Sequence, residues 1–276
     1  MYEPGVCLSS GDYPFMDMLY KEWVRQRIGE GPWMNRGRGG KLKDVTLYAR
    51  EHSLIEAMRD PLLDPLAREI YTQQKAQELL DLMCVQAPRD SLWDFFENFY
   101  KRYSGEVPVE IFLGELRDSL GVTVEDYVGW LNSRSQNVYR VKDMDIVKVQ
   151  DLGRGKAYGE FKIQHCGTRR GVVAVSTDNP FTWGKQDREV YSLEPGKCYQ
   201  VRFPLGQRGY RFALSTGVSR NIPTEMYVDL EREARNLMVP AWGRDTCCGV
   251  FEIAGSLFDR EDDRVILVDN ESPGFR

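Results

Sequence analysis

Hydrophobic residues fall at two different spacings along this chain, and the change between them divides it. From residue 12 to about residue 135 they recur every three to four positions, the spacing that puts side chains on one face of an α-helix. The stretch "FMDMLYKEWVRQRIG" places Phe15, Leu19, Trp23 and Ile28 on or near one face, and Gly29 and Gly31-Pro32 stop it. "NRGRGGKLKD" (35–44) follows. It lacks the G-x-x-x-x-G-K-[ST] spacing of a phosphate cradle and reads as a surface loop. A short helix over "LIEAMRD" ends at Pro61, and Asp64-Pro65 opens the next with an N-cap and a first-turn proline, leaving Ile70, Leu79, Leu82 and Met83 for apolar contacts. "DSLWDFFENFYKRYSG" carries Phe95, Phe96, Phe99, Tyr100 and Tyr103 as an aromatic stripe, which fits a core better than a ligand groove. Pro108 begins another helix, Gly121 suits its C-terminal cap, and Thr123 with Asp126 spells a capping box for the next.

Near residue 138 the period drops to two. "VYRVKDMDIVKVQ", "AYGEFKIQHC", "GVVAVST", "REVYSL", "KCYQVRFPL", "YRFALST" and "EMYVDL" read as short strands separated by Gly, Pro and Asn, with Pro195-Gly196 at a tight turn. Such a run predicts an antiparallel sandwich of about 100 residues. "LEREARNLMVP" (230–240) reads as an excursion, after which "CCGVFEIAGSLFD" and "DRVILVDN" return to strand pattern. The predicted fold class is therefore α+β. A helical region over 1–135 precedes an antiparallel β-sandwich over 136–276.

Composition narrows the function classes. With 276 residues, 42% apolar and 29% charged, the chain is an ordinary globular one rather than a disordered one. Its net charge of −5 argues against a nucleic-acid partner. No apolar run is long enough to span a membrane, and the N-terminus lacks the basic-then-apolar order of a signal peptide. Cys7, Cys84, Cys166, Cys198, Cys247 and Cys248 form no C-x-x-C pair. They read as free or buried thiols in a reducing compartment, which favours the cytoplasm; the alternative is a bridge between strands such as Cys166 with Cys198. A peptide or protein partner is expected, and the pattern says nothing of oligomeric state.

Candidate chemistry is sparse. The two histidines, His52 and His165, lie in different predicted domains, and H-E-x-x-H is absent. His52 reads as solvated and His165 as a surface or rim residue. His165 and Cys166 are adjacent in a predicted strand, so they face opposite sides and cannot form a nucleophile–base pair there. No G-x-S-x-G elbow is present. Asp94 with Glu97 could serve acid–base work. "DREDDR" (259–264) lacks calcium-loop spacing and reads as a charged turn.

The order of segments is informative. A "YPFMD" helix, then "EIYTQQKAQELLDLM", then "SLWDFFENFYKRYSGEVPVEIFLGELRDSLGVTVEDYVGWL", then strands from "YRVKDMDI" resembles the later part of the membrane alanyl aminopeptidase-type zinc metallopeptidases, the gluzincins, over roughly residues 12–216. That resemblance implies the latter half of a thermolysin-like domain followed by a β-sandwich. In the family, a glutamate straight after the Asp of this first helix is the third zinc ligand. Here Met18 stands in that place, and a thioether is a poor zinc ligand. The family's oxyanion-stabilising tyrosine matches Tyr71, but the Lys-Gly that accompanies it is replaced by Gln73-Gln74. The resemblance puts the two ligand histidines and the general-base glutamate upstream of Met1.

The sequence thus predicts a non-catalytic, aminopeptidase-like scaffold or interaction protein, with Tyr71 a vestigial site and no cofactor. Zinc enters only if an N-terminal half supplies ligands. Two alternatives stand beside this reading. One is the C-terminal portion of an active zinc aminopeptidase. The other is a peptide- or carbohydrate-binding sandwich, with Trp183 and Tyr210 as a platform.

Overall fold

The computed structural model describes residues 6–10, 13, 15–28, 39–134, 137–149, 156–177, 187–204, 211–221, 224–229 and 249–254. Two compact units make up the chain, one within Met1–Ser135 and the other within Gln136–Phe181 and Asp187–Arg276. The described residues are of mixed type, α-helices with two antiparallel sheets and one parallel strand pair.

The first unit is mainly helical. Strand β1 (Val6–Ser9) is followed by helices α1 (Met16–Ile28), α2 (Gly39–Glu51), α3 (Leu54–Arg59), α4 (Pro65–Gln86) and α5 (Arg89–Arg102). Strand β2 (Gly105–Pro108) and helices α6 (Val109–Leu120) and α7 (Glu125–Leu131) complete it. β1 and β2 pair in parallel, Val6 opposite Gly105 through Ser9 opposite Pro108. Helix α4 is the hub, with α1, α2, α3, α5 and α7 all against it. It is buried around most of its circumference, so charged Lys75, Glu78 and Asp81 go inside along with Ile70, Tyr71, Leu79, Leu82 and Met83.

Local chemistry sets several helix ends. The Asp64 carboxylate accepts the Leu66 amide at 2.8 Å, and Pro65 stands at the first helical position, where a missing N–H costs nothing. Ser53 and Glu56 form a reciprocal capping box at the start of α3, a signal present in the sequence as S-L-I-E. Gly121 ends α6 at φ +67°, a left-handed conformation that favours glycine.

Two expectations fail here. Residues 39–44 begin α2 instead of continuing a loop, because Val45 and Ala49, one turn apart, are both buried and draw the segment into a helix. Thr123, expected to open a capping box with Asp126, is not the N-cap of α7. Val124 is the N-cap, with no side-chain bond. The Thr123 backbone is held by the Gln86 amide, which accepts its N–H and donates to its carbonyl, both at 3.0 Å.

The aromatic stripe is core. Trp23 of α1 stacks on Phe96 of α5 at 5.3 Å, and Phe112 of α6 meets Phe95, Phe96 and Phe99 at 5.1 to 5.6 Å. Such offset and edge contacts add to the area these rings bury.

The second unit holds strands β3 (Tyr139–Val149), β4 (Lys156–His165), β5 (Gly171–Thr177), β6 (Asp187–Leu193), β7 (Cys198–Pro204), β8 (Arg211–Ser215), β9 (Glu225–Asp229) and β10 (Gly249–Ile253). They form two four-stranded antiparallel sheets, ordered β10-β7-β4-β3 and β6-β5-β8-β9. One buried cluster draws on both: Phe161, Ile163, Tyr199, Val201 and Phe203 from the first sheet, Val173, Val175, Leu193, Phe212 and Leu214 from the second. These positions alternate along each strand, which is how period two becomes a buried face. The Asn221 side chain clamps Tyr139 at the start of β3, accepting its N–H at 2.9 Å and donating to its carbonyl at 2.6 Å.

Candidate functional site

The candidate site lies in the helical unit, where β1, β2, α1 and α6 enclose a cleft of about 630 Å³. Strand β1 contributes Cys7 and Ser9, and Ser10 and Tyr13 follow from the segment leading into α1. Asp17 comes from the first turn of α1, Glu106 and Pro108 from β2, and Glu110 from the first turn of α6. Parallel pairing of β1 and β2 sets Cys7 directly opposite Glu106. Strand alternation then turns both toward the same exposed side, while Leu8 and Val107 go into the core.

The lining is polar and acidic. The Cys7 Sγ donates to Asp17 Oδ1 at 3.3 Å, and the Ser10 hydroxyl accepts the Tyr13 amide at 3.1 Å. Desolvation raises the Asp17 carboxyl above its ordinary range, with Glu106 repulsion adding; the thiol hydrogen bond and Lys21 oppose this. The bond to Asp17 in turn raises the Cys7 thiol, helped by burial and by the charges of Asp17 and Glu106. A thiol held protonated beside two carboxylates is a poor nucleophile. What the arrangement offers is negative charge and hydrogen-bond acceptors.

Met18, the residue after Asp17, is half-buried and does not line the cleft. Tyr71 is fully buried in α4, its hydroxyl donates to the His52 carbonyl at 3.0 Å, and burial drives its pKa up. Neither residue lines the cleft. Asp94 is exposed on α5, and Glu97 is paired with Lys101 at 2.7 Å, one helical turn away. Trp183, Tyr210, Cys247, Cys248, the 230–240 excursion, "DREDDR" and "DRVILVDN" lie outside the described residues.

The zinc implied by the resemblance does not fit the residues present. Met18 supplies no carboxylate, and among the described residues no three His, Cys, Asp or Glu side chains converge to hold a metal ion. Cys7, Cys84, Cys166 and Cys198 are free thiols. The alternative, a Cys166–Cys198 bridge, is absent for a geometric reason. Cys198 sits opposite Gln164, so Cys166 is its diagonal neighbour, at a spacing of about 7–8 Å that exceeds what a disulfide spans.

His52 is exposed as expected, its ring lying on Tyr48 at 4.2 Å. His165 corrects the sequence reading: it is wholly buried, because the strand end it occupies is covered by Tyr139 and by the turn that follows. Cys166 is exposed, so the two neighbours do face opposite ways. Sequence reasoning also missed the buried charges. Lys75 donates to the Ser133 carbonyl at 3.1 Å and lies over the Tyr71 ring, and Glu22 accepts from Arg25 at 2.7 Å. A signal for them exists in the spacing, since Lys75, Glu78, Leu79 and Leu82 share one face of α4. Among the described residues no helix is long and apolar enough to cross a membrane.

No protein-family model matches the chain, and no curated protein matches it. Among solved structures, a β-glucosidase involved in saponin metabolism from intestinal bacteria is similar over 33% of this chain and 16% of its own, with 16% identity and a TM-score of 0.23. Likeness at that level carries no weight for fold or function.

Proposed function

We propose that this chain is a non-catalytic, aminopeptidase-like scaffold that acts by binding a peptide or protein partner. On this reading the helical unit corresponds to the latter half of a gluzincin thermolysin-like domain. The two sheets, sharing one buried cluster, correspond to the β-sandwich that follows it. The observation that carries the proposal is Tyr71. A tyrosine that stabilises an oxyanion must present its hydroxyl to substrate. Here the hydroxyl is buried and spent on the His52 carbonyl. Met18 in the ligand position supports the same conclusion, since a thioether cannot replace a zinc-binding carboxylate.

The test is zinc content by elemental analysis, together with hydrolysis of a panel of aminoacyl anilides by this chain. The expected result is substoichiometric zinc and no turnover above buffer. Stoichiometric zinc with turnover that chelator abolishes would overturn the proposal and favour the active-peptidase alternative.

A further inference from the structure

Strands β4 and β5 are joined by the turn Cys166–Arg170, and one buried side chain closes it. The Nδ1 of His165 accepts the Gly167 amide at 2.9 Å, and its Nε2 stands 2.7 Å from the Arg169 carbonyl. An amide can only donate and a carbonyl only accept, so the imidazole is the neutral tautomer with its proton on Nε2. The His165 backbone is pinned as well. Its N–H donates to the Lys197 carbonyl at 3.0 Å and its carbonyl accepts the Gly196 amide at 2.8 Å. The imidazole ring lies 4.7 Å from that of Tyr139.

Beside this ring is an unusual neighbour. Asn137 is 1% exposed, yet neither Oδ1 nor Nδ2 has a hydrogen-bond partner. Buried amides are normally satisfied, and an exception calls for a reason. Asn137 and His165 converge on the same two glycines. A Cβ at Gly167 would fall 2.6 Å from Asn137 Oδ1 and 2.6 Å from His165 Cε1, and one at Gly171 would fall 1.8 Å from the Tyr139 hydroxyl, 2.9 Å from Asn137 Nδ2 and 3.0 Å from His165 Nε2. The absence of side chains at 167 and 171 leaves room for the Asn137 amide, the His165 ring and the Tyr139 hydroxyl together.

We propose that His165, Asn137 and the 166–170 turn form an acid-operated latch. In the closed state the neutral imidazole accepts the Gly167 amide and holds the turn. A proton from solvent then adds to Nδ1, which can no longer accept, and the Gly167 amide is released. The imidazolium N–H finds its acceptor in the Asn137 carbonyl oxygen, which has no partner in the closed state.

The surrounding charges set where this happens. From β3, Tyr139 and Arg140 approach this end of the sheet, and from the turn come Cys166, Arg169 and Arg170. Glu194 and Lys197 come from the β6–β7 connection and Tyr199 from β7. Glu194 is engaged by Arg170 at 2.7 Å, Lys197 by Glu252 at 2.8 Å, and the Tyr199 hydroxyl accepts the Glu194 amide at 2.9 Å. Burial lowers the His165 pKa, outweighing the Arg169 carbonyl and Glu194, which favour the charged ring. Because the folded value lies below the ordinary one, the unfolded chain takes up its proton first. The latch's contribution is complete above the ordinary imidazole range near pH 6.5 and is lost as pH falls through that range and the folded value.

The chain has two histidines, so a His52→Gln variant leaves one imidazole to observe. Ring nitrogen-15 NMR of that variant between pH 8 and pH 4.5 reports the His165 tautomer and midpoint. Hydrogen exchange reports the Gly167 amide alongside. The expected result is an Nε2–H tautomer at pH 8. Gly167 protection, corrected for intrinsic exchange, then falls at least tenfold with the ring's midpoint, while that of Phe161 in mid-β4 holds. Asn137→Ala, or Asn137→Ser should the alanine variant not fold, lowers the midpoint by about one pH unit, the tenfold change that one charge-assisted hydrogen bond supplies. An Nδ1–H tautomer at pH 8 overturns the latch. So does Gly167 protection that ignores the ring's titration, or a midpoint indifferent to Asn137.

Discussion

Replacing Gly159 by alanine tests the packing of the second unit at its tightest point. Gly159 of β4 pairs with Phe203 of β7, and the Phe203 ring lies across the glycine. An added Cβ would sit 2.1 Å from Cζ, 2.4 Å from Cε2 and 2.8 Å from Cε1 of that ring. Carbon atoms pack at roughly 3.5 Å, so the ring would have to retreat by about 1.4 Å. It has nowhere to go: Phe203 is fully buried, with Phe212 4.7 Å away and Phe161 6.0 Å away. Overpacking of this kind costs about 1–3 kcal/mol, and so severe an overlap belongs at the upper end. Alanine regains roughly 0.5–1 kcal/mol over glycine in a strand interior, which leaves a net loss of about 2 kcal/mol. Urea unfolding of the full chain measures it. Phe203→Leu, introduced into the Gly159→Ala background, removes the ring and should cost less there than in the wild type, a coupling of at least about 1 kcal/mol. The reasoning is refuted if Gly159→Ala changes stability by less than about 0.5 kcal/mol, or if the two substitutions simply add.

Other expectations follow from buried or tuned charges. Lys75→Met removes the bond to Ser133 and the cation beside Glu78, and should cost about 3–5 kcal/mol in urea unfolding, with a Lys75→Met/Glu78→Leu double variant losing less than the sum. Burial holds the Lys75 pKa below its ordinary value near 10.4, so between the two values the unfolded chain binds more protons. Wild-type stability should therefore rise with pH there relative to Lys75→Met; a flat difference across the alkaline range counts against a desolvated lysine. The Asp17 carboxyl is raised, so its protonated form is favoured on folding and stability falls as pH rises through the folded value. Asp17→Asn should consequently raise the melting temperature at pH 7 and leave it unchanged near pH 3. Ser53→Ala breaks the capping box of α3 and should cost about 1 kcal/mol, read as a lower melting temperature of the helical far-UV CD signal.

Local grammar was legible wherever the deciding partner lies within one turn of chain. Asp64-Pro65 and Gly121 mark helix ends, and alternation through "EFKIQ" marks a strand, because caps and periodicity act between near neighbours. Reading failed where a distant residue wins. Thr123 is not the N-cap of α7, and its backbone is held by Gln86, 37 positions away in the chain. The candidate cleft was not visible as a unit, because Cys7 and Glu106 meet only through a parallel ladder between segments about a hundred residues apart, and nothing in either four-residue strand names its partner. Asp17 was legible as a first-turn acid, but its raised pKa comes from burial and from Glu106.

By itself, then, the sequence determined the helix-to-strand change near residue 138 and the helix ends at Asp64-Pro65 and Gly121. These depend on residue type and short-range spacing alone. Tertiary structure decided which polar groups go inside. Tyr71, Lys75 and His165 look ordinary in sequence, yet all three are buried, each against a backbone carbonyl: His52, Ser133 and Arg169. The physical reason is that desolvation depends on everything packed around a side chain, and only the assembled fold brings those atoms together.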